Sequence, residues 1–206
     1  MIAVIDYDAG NIRSVEHALA ALKLPAVVTR DPAVIRKADK VILPGVGAFG
    51  DAMDKLNNYG LTDVIRESVA AGKPFLGICL GLQLMFDESE ETPGVKGLSL
   101  LPGKIVRIPE GGGRKIPHIG WNDLSFPKKG RLFDGIPEGS YVYFVHSYYL
   151  KAQNESDVAA TTEYGAHIHA AVEHGNIFAC QFHPEKSGDV GLRILKNFGD
   201  LQDDKG

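Results

Sequence analysis

The sequence predicts an α/β fold: a doubly wound, mostly parallel central sheet flanked by helices, with an additional mixed or antiparallel β section in its second half. Three observations predict it. In the first half, short unbroken apolar runs alternate with stretches of helical periodicity, the pattern of strands buried on both faces. From Leu98 to Phe182, β-type runs follow one another with turn signals between them. The 206 residues, 44% hydrophobic and 23% charged, suffice to bury a full core, so residues 1–206 are expected to form a single domain.

The elements follow in order. IAVIDY (2–7) is an apolar run ending in the turn DAGN, after which Ile12, Val15, Leu19 and Leu22 recur at helical spacing. AVVTR (26–30), closed by Asp31 and Pro32, and KVILP (40–44) are further strands. LTDVIRESVAAGK (61–73) is a helix ending at Gly72, followed by the strand FLGIC and the helix GLQLMF. The second half supplies LSLLPGKIVRI, YVYFVHSYYL, VAATTEY and HIHAAVEHGNIFACQF, the last with a turn at His174 to Asn176. A final amphipathic helix, SGDVGLRILKNFGDL, places Val190, Ile194, Leu195, Phe198 and Leu201 on one face. GGGR (111–114) reads as a loop or hairpin tip.

Composition excludes several classes. A net charge of −4 with scattered lysines and arginines offers no footprint for nucleic acid or anionic lipid. MIAVIDYDAG carries two aspartates and no basic start, so it reads as a strand, not a signal peptide, and no apolar run is long enough to span a membrane. Two cysteines make no disulfide framework and are expected as reduced thiols in the cytoplasm.

One of those cysteines has a particular setting. GICLG (77–81) has the GxCxG spacing of a strand-to-helix nucleophile elbow. A nucleophile on so tight a turn has strained backbone, and residues two away on either side approach closely enough to favour Gly77 and Gly81. Cys79 then heads a helix, where free N–H groups favour a thiolate, and the Leu80 N–H points toward an oxyanion formed by attack. A buried cysteine between packing glycines is the competing reading; the agreement of strand, turn and helix favours the nucleophile. Cys180, in FACQF, has no such setting and reads as a core residue.

Acyl transfer by a thiolate needs a proton carrier and a group to orient it. His17 reads as a solvated helix residue, and His167, His169 and His174 as residues around a hairpin turn; HIH lacks the further ligands of a metal site. FHPEKS ends a strand at His183, with Glu185 two residues on and able to fix the imidazole tautomer. Alone, this motif reads equally well as a surface turn. With GxCxG it implies a Cys79–His183–Glu185 triad.

GICLGLQ (77–83) with QFHPE (181–185) resembles the class I triad glutamine amidotransferases. IDYDAGNIRSV, LPGVGAFGDAM, PHIGWN and YFVHSYY resemble, more specifically, the glutaminase subunits that serve imidazole glycerol phosphate synthases, over essentially the whole chain. The resemblance implies that Cys79 attacks the glutamine side-chain amide, that His183 carries the proton to departing ammonia, and that water hydrolyses the thioester. It implies that Gln83, Glu91, Ser147 and Tyr148 surround the glutamine, and that Gly45, Val46 and Gly47 of PGVG complete an oxyanion hole with Leu80. It implies a partner, a (β/α)8-barrel cyclase subunit, faced by Trp121, Asn122, Tyr143 and Lys186. Composition alone leaves Trp121 and Tyr143 equally readable as core aromatics, His118 as support for the turn before Trp121, and His146 as a satisfied core histidine.

GVGAFG (45–50) also matches GxGxxG after a strand, but a dinucleotide fingerprint needs an acidic residue ending a second strand about twenty residues on, where this chain has helix. No cofactor or metal is expected. A different cysteine hydrolase on the same sheet, and a binding subunit without chemistry, remain as alternatives; release of ammonia from free glutamine separates them.

Overall fold

The structure, a computed structural model, describes residues 1–201. The first half runs β1 (Ile2–Ile5), α1 (Ile12–Ala21), β2 (Ala26–Thr29), α2 (Pro32–Lys37), β3 (Lys40–Leu43), α3 (Phe49–Asn58), α4 (Leu61–Ala70), β4 (Phe75–Ile78) and α5 (Leu80–Leu84). The second half runs β5 (Glu88–Ser89), β6 (Gly103–Arg107), β7 (His118–Asp123), β8 (Tyr141–His146), β9 (Tyr148–Ala152), β10 (Val158–Glu163), β11 (His167–His174), β12 (Ile177–Cys180) and α6 (Gly188–Asp200).

The main sheet has the order β2-β1-β3-β4-β12-β11-β9-β6-β5, with β10 also pairing β11. From β2 to β12 it is parallel; β11 then runs antiparallel to β12, and β9 antiparallel to both β11 and β6. Successive strand residues go to opposite faces: Ala3 and Ile5 join one core cluster and Ile2 and Val4 the other, as do Phe75 against Leu76 and Ile78. Two covered faces explain why these strands read as unbroken apolar runs. Each large side chain fully buried in this way stabilises the fold by about 2–3 kcal/mol. In α6, Ile194, Leu195 and Phe198 are buried, with Val190 and Leu201 packed against the same cluster.

Several elements differ from the sequence reading. Asp31 and Pro32 do more than close β2: the Asp31 carboxylate accepts from Ala33 N at 2.8 Å and Pro32 occupies the first turn, so together they start α2. The run after PGVG enters α3. LSLLPGKIVRI is strand only over β6, because Leu98 and Leu100 donate their N–H groups to Leu84 and Met85 carbonyls in a loop. His118 lies in β7 rather than supporting a turn, and YVYFVHSYYL breaks at Ser147. Its first part, β8, pairs with β7 in a separate two-stranded sheet, while β9 joins the main one. That small sheet stands over the end of β4, where Cys79 lies.

Candidate active site

Cys79 links β4 to α5 with φ 54° and ψ −108°, a sparsely populated positive-φ conformation that costs a non-glycine residue about 1–3 kcal/mol. Its N–H is held by Cys180 O at 2.8 Å, which ties the turn to β12. The flanking glycines are required by close approach: a Cβ on Gly81 would lie 1.8 Å from Leu43 O, and one on Gly77 would lie 2.4 Å from Met85 Sδ and 2.8 Å from Gly81 O. Cys180, one strand away, is fully buried in the core.

His183 follows β12. Its Nδ1 is 2.7 Å from Glu185 Oε1, with both side chains buried. The carboxylate selects the tautomer with the proton on Nδ1 and leaves Nε2, which is buried and has no hydrogen-bond partner among the described residues, as the nitrogen free to exchange protons. Burial opposes protonation of His183, but interaction with Cys79 and then Glu185 outweighs it and raises its pKa to about 10. Asn11 donates to the same Glu185 oxygen. The thiol is itself directed at Val145 O, 3.9 Å away.

A cavity of about 270 Å³ opens in front of the sulfur. Val46, Gly47, Cys79, Leu80, Gln83, Glu91, Ser147 and Tyr148 all line it. The structure thus gathers around one cavity the residues that the sequence placed about the glutamine or the oxyanion, except Gly45, which is buried behind the lining. Gln83 is fixed by donation to Tyr148 O at 3.0 Å and Gln181 Oε1 at 3.1 Å, and Glu91 accepts from Phe49 N at 2.8 Å, at the start of α3. Tyr7 donates to Pro44 O, close enough that a Cβ on Gly45 would lie 2.0 Å from the phenol oxygen. The Leu80 N–H is engaged by Gly45 O at 3.2 Å in this conformation, and Gly47 has φ +113°.

Trp121, Tyr143, Asn122 and Lys186 lie outside the cavity. Trp121 is 55% exposed and meets the half-buried Tyr143 edge to face at 6.1 Å, so it is not a core aromatic. Ile119 and Tyr141, which the sequence reading did not single out, are exposed on the same small sheet, and Lys186 is exposed beside the triad turn. Asn122 alternates to the opposite face from Trp121, where it donates to Glu163 O at 3.1 Å. His146 does line the cavity. Its Nδ1 is 2.8 Å from Tyr148 O and its Nε2 3.0 Å from His118 Nδ1, while His118 stacks between Phe144 and Tyr164. Burial pushes His118 down to about 4 and His146 down to about 3, so both rings are neutral. Pro117 and Val145 complete the lining. No local signal marks them, since they reach the site only through pairing of β7 with β8.

The family description "Glutamine amidotransferase class-I" matches residues 3–200. The chain belongs to the class-I glutamine amidotransferases. Within them it is 54% identical to the imidazole glycerol phosphate synthase subunit HisH of Moorella thermoacetica, over 97% of this chain and 94% of that protein. It is 51% identical to the HisH subunit of Methanothermobacter thermautotrophicus, over 98% of each. It is thus a member of the HisH family. Among solved structures, a glutamine amidotransferase superposes with a TM-score of 0.74 at 23% identity, covering 97% of this chain and 100% of that one. A glutamine amidotransferase from Thermotoga maritima gives 0.67 at 18%, covering 97% and 82%. At such identities these two establish the shared fold of the amidotransferase, not its substrate channel or partner.

Proposed function

We propose that the chain, working as one domain over residues 1–206, is the glutaminase subunit of an imidazole glycerol phosphate synthase, and that Cys79, His183 and Glu185 are its catalytic triad. The observation that carries the reading is the strained Cys79 elbow at the floor of an amino-acid-sized cavity, backed by a buried His183–Glu185 pair. Cys79 Sγ attacks the side-chain amide carbon of glutamine, forming a C–S bond. His183 Nε2 passes its proton to the nitrogen as the C–N bond breaks and ammonia leaves. Water, giving up a proton to His183, then hydrolyses the thioester to glutamate and regenerates the thiol. Glu185 holds the imidazole through Nδ1. Gln83, Glu91, Ser147 and Tyr148 hold the substrate.

Ammonia set free in neutral water would be protonated and lose its nucleophilicity, so a second subunit must receive it. The exposed Trp121 on the half-buried Tyr143, with Lys186 nearby and Asn122 behind, is the face on which a (β/α)8-barrel cyclase would dock; exposed aromatics are typical interface anchors. The Leu80 N–H needed by an oxyanion is occupied by Gly45 O, which favours a gated enzyme in which the PGVG peptide reorients, bringing Val46 and Gly47 into play, before turnover.

The test is glutamate formation from glutamine by the chain alone, with a barrel cyclase, and with cyclase plus its nucleotide substrate. A large rise only in the last mixture is expected, and Cys79→Ala should remove it. Full turnover by Cys79→Ala would refute the triad. Strong activity of the isolated chain, indifferent to cyclase, would keep the triad and reject the gating and the partner.

A further inference from the structure

The nucleophile has a neighbour that the triad does not include. Gln181, the first residue of QFHPE, has no exposed surface, and its Nε2 donates to Cys79 Sγ at 3.8 Å. The orientation of this amide is determined by its neighbours. Gln83 Nε2 donates to the Tyr148 carbonyl, which accepts only; the reverse orientation of Gln83 would set oxygen against oxygen. The same Gln83 nitrogen also donates to Gln181 Oε1 at 3.1 Å, so the Gln181 carbonyl is occupied and its NH2 faces the sulfur. The backbone of Gln181 is fixed as well, its N–H donating to Ala170 O at 2.8 Å. A buried amide with one end already bonded carries a donor that water cannot reach, and the sulfur is the acceptor placed to take it.

Two contacts on Sγ therefore favour different protonation states. Val145 O accepts and suits the thiol; Gln181 Nε2 donates and suits the thiolate.

We propose that Gln181 is a catalytic residue of this site, a neutral hydrogen-bond donor that stabilises the Cys79 thiolate from the side of the β12 strand end, with Gln83 as the positioning residue that aims it. The proposal rests on the glutaminase reading only in taking Cys79 as the nucleophile. Unlike His183, Gln181 exchanges no proton. Its bond to sulfur is strongest in the thiolate and weakens as the C–S bond forms and the charge passes to the substrate oxygen. Removing it should lower the fraction of thiolate while making the remaining thiolate more basic and more nucleophilic.

That opposition gives a signature that lost packing would not. The probe is iodoacetamide, with the rate of Cys79 alkylation followed by mass spectrometry across pH in folded protein. In Gln181→Met, close in shape but without a donor, the alkylation profile should move to higher pH by about one unit, a tenfold loss of thiolate below the midpoint, while the plateau rate at high pH is equal or higher. Gln181→Glu still accepts from Gln83 but sets a carboxylate against the sulfur, and should move the profile further in the same direction. Unshifted profiles in folded variants, or equal shifts in both, would overturn the proposal. Should neither variant fold, the wild-type protein decides: the side-chain amide 15N–H resonance of Gln181 should follow the Cys79 titration and lose that response in Cys79→Ala, and an amide resonance indifferent to the titration would overturn it. Alkylation needs no glutamine, so a protein that failed to hydrolyse glutamine even with cyclase and its nucleotide substrate would refute the glutaminase reading and leave this result standing.

Discussion

The two walls of the cavity are built differently. One, Cys79 with Gln181 and His183 buried behind it, grows from adjacent strand ends of the main sheet, and its polar groups are bonded into the backbone: Cys79 N to Cys180 O, Gln181 N to Ala170 O, His183 N to Tyr143 O. The other wall is PGVG with the β7–β8 sheet, where Val46 is 37% exposed, Gly47 carries a positive φ with open space around it, and Ile119 and Trp121 stand in solvent. One wall has the density of a protein interior; the other has the exposure of a surface that lacks its cover. The residues proposed to carry the chemistry thus sit on the densely bonded part, and the peptide proposed to complete the oxyanion hole on the exposed one.

Substituting one glycine in each wall should separate them most sharply. Gly81→Ala drives a methyl into the Leu43 carbonyl, a backbone atom that cannot rotate away, and should cost more than about 4 kcal/mol, seen as loss of cooperative unfolding or of soluble protein. Gly47→Ala meets nothing within 4 Å and pays only for its left-handed backbone, about 1–2 kcal/mol in a urea melt, so it should fold. Similar losses at the two positions would break the comparison.

Within the rigid wall, Glu185→Gln should reduce glutamine turnover by about 10²–10⁴-fold while leaving the protein folded, because the amide can turn a donor toward His183 Nδ1 and favour the wrong tautomer. Measured on the cyclase complex with ligand present, the loss should appear in kcat. A loss confined to KM would assign Glu185 to binding.

The same division explains what could be read from the sequence. The elbow was legible because its motif is local: the strand, the turn, the two glycines and the helix start lie within 75–84, and Gly77 is required by Gly81 itself, although the stronger demand on Gly81 comes from the Leu43 carbonyl of β3, which no local window records. His183 with Glu185 was legible as two neighbours. The other wall was not. β7 hides in PHIGWN because a two-stranded ribbon with one exposed face carries only a short alternation, and the break at Ser147 depends on β8 and β9 choosing different sheets, which no window of sequence records. Gln181 escaped notice because its role needs Gln83 from another element to aim it.

Titration should also divide the walls, with opposite signs. His118 and His146, in the small sheet, have pKa values depressed to about 4 and 3 against an unfolded value near 6.5, so the unfolded chain binds more protons below 6.5 and stability falls as pH drops. The loss at pH 5 should be about 2 kcal/mol per ring. His183 is raised to about 10, so its contribution is complete below 6.5 and is lost as pH climbs toward 10. Urea unfolding at pH 5 and 7 should show the acid slope, and His118→Gln should remove about half of it. An unchanged slope in that variant would place the acid sensitivity elsewhere.

The smallest effect is the most informative about the open wall. Trp121 is more than half exposed and touches Tyr143 only edge to face, so in the isolated chain Trp121→Ala should change stability by no more than about 0.5 kcal/mol. A core aromatic of that size would cost about 3–5 kcal/mol. If the small sheet is the docking face, the same substitution should weaken binding of the barrel cyclase at least tenfold, because buried aromatic anchors dominate interfaces of this kind. A variant that loses stability but keeps affinity would mean that the small sheet is finished as it stands. Preserved stability with lost affinity would mean that this wall is completed by the partner, and that the cavity acquires its second rigid side only in the complex.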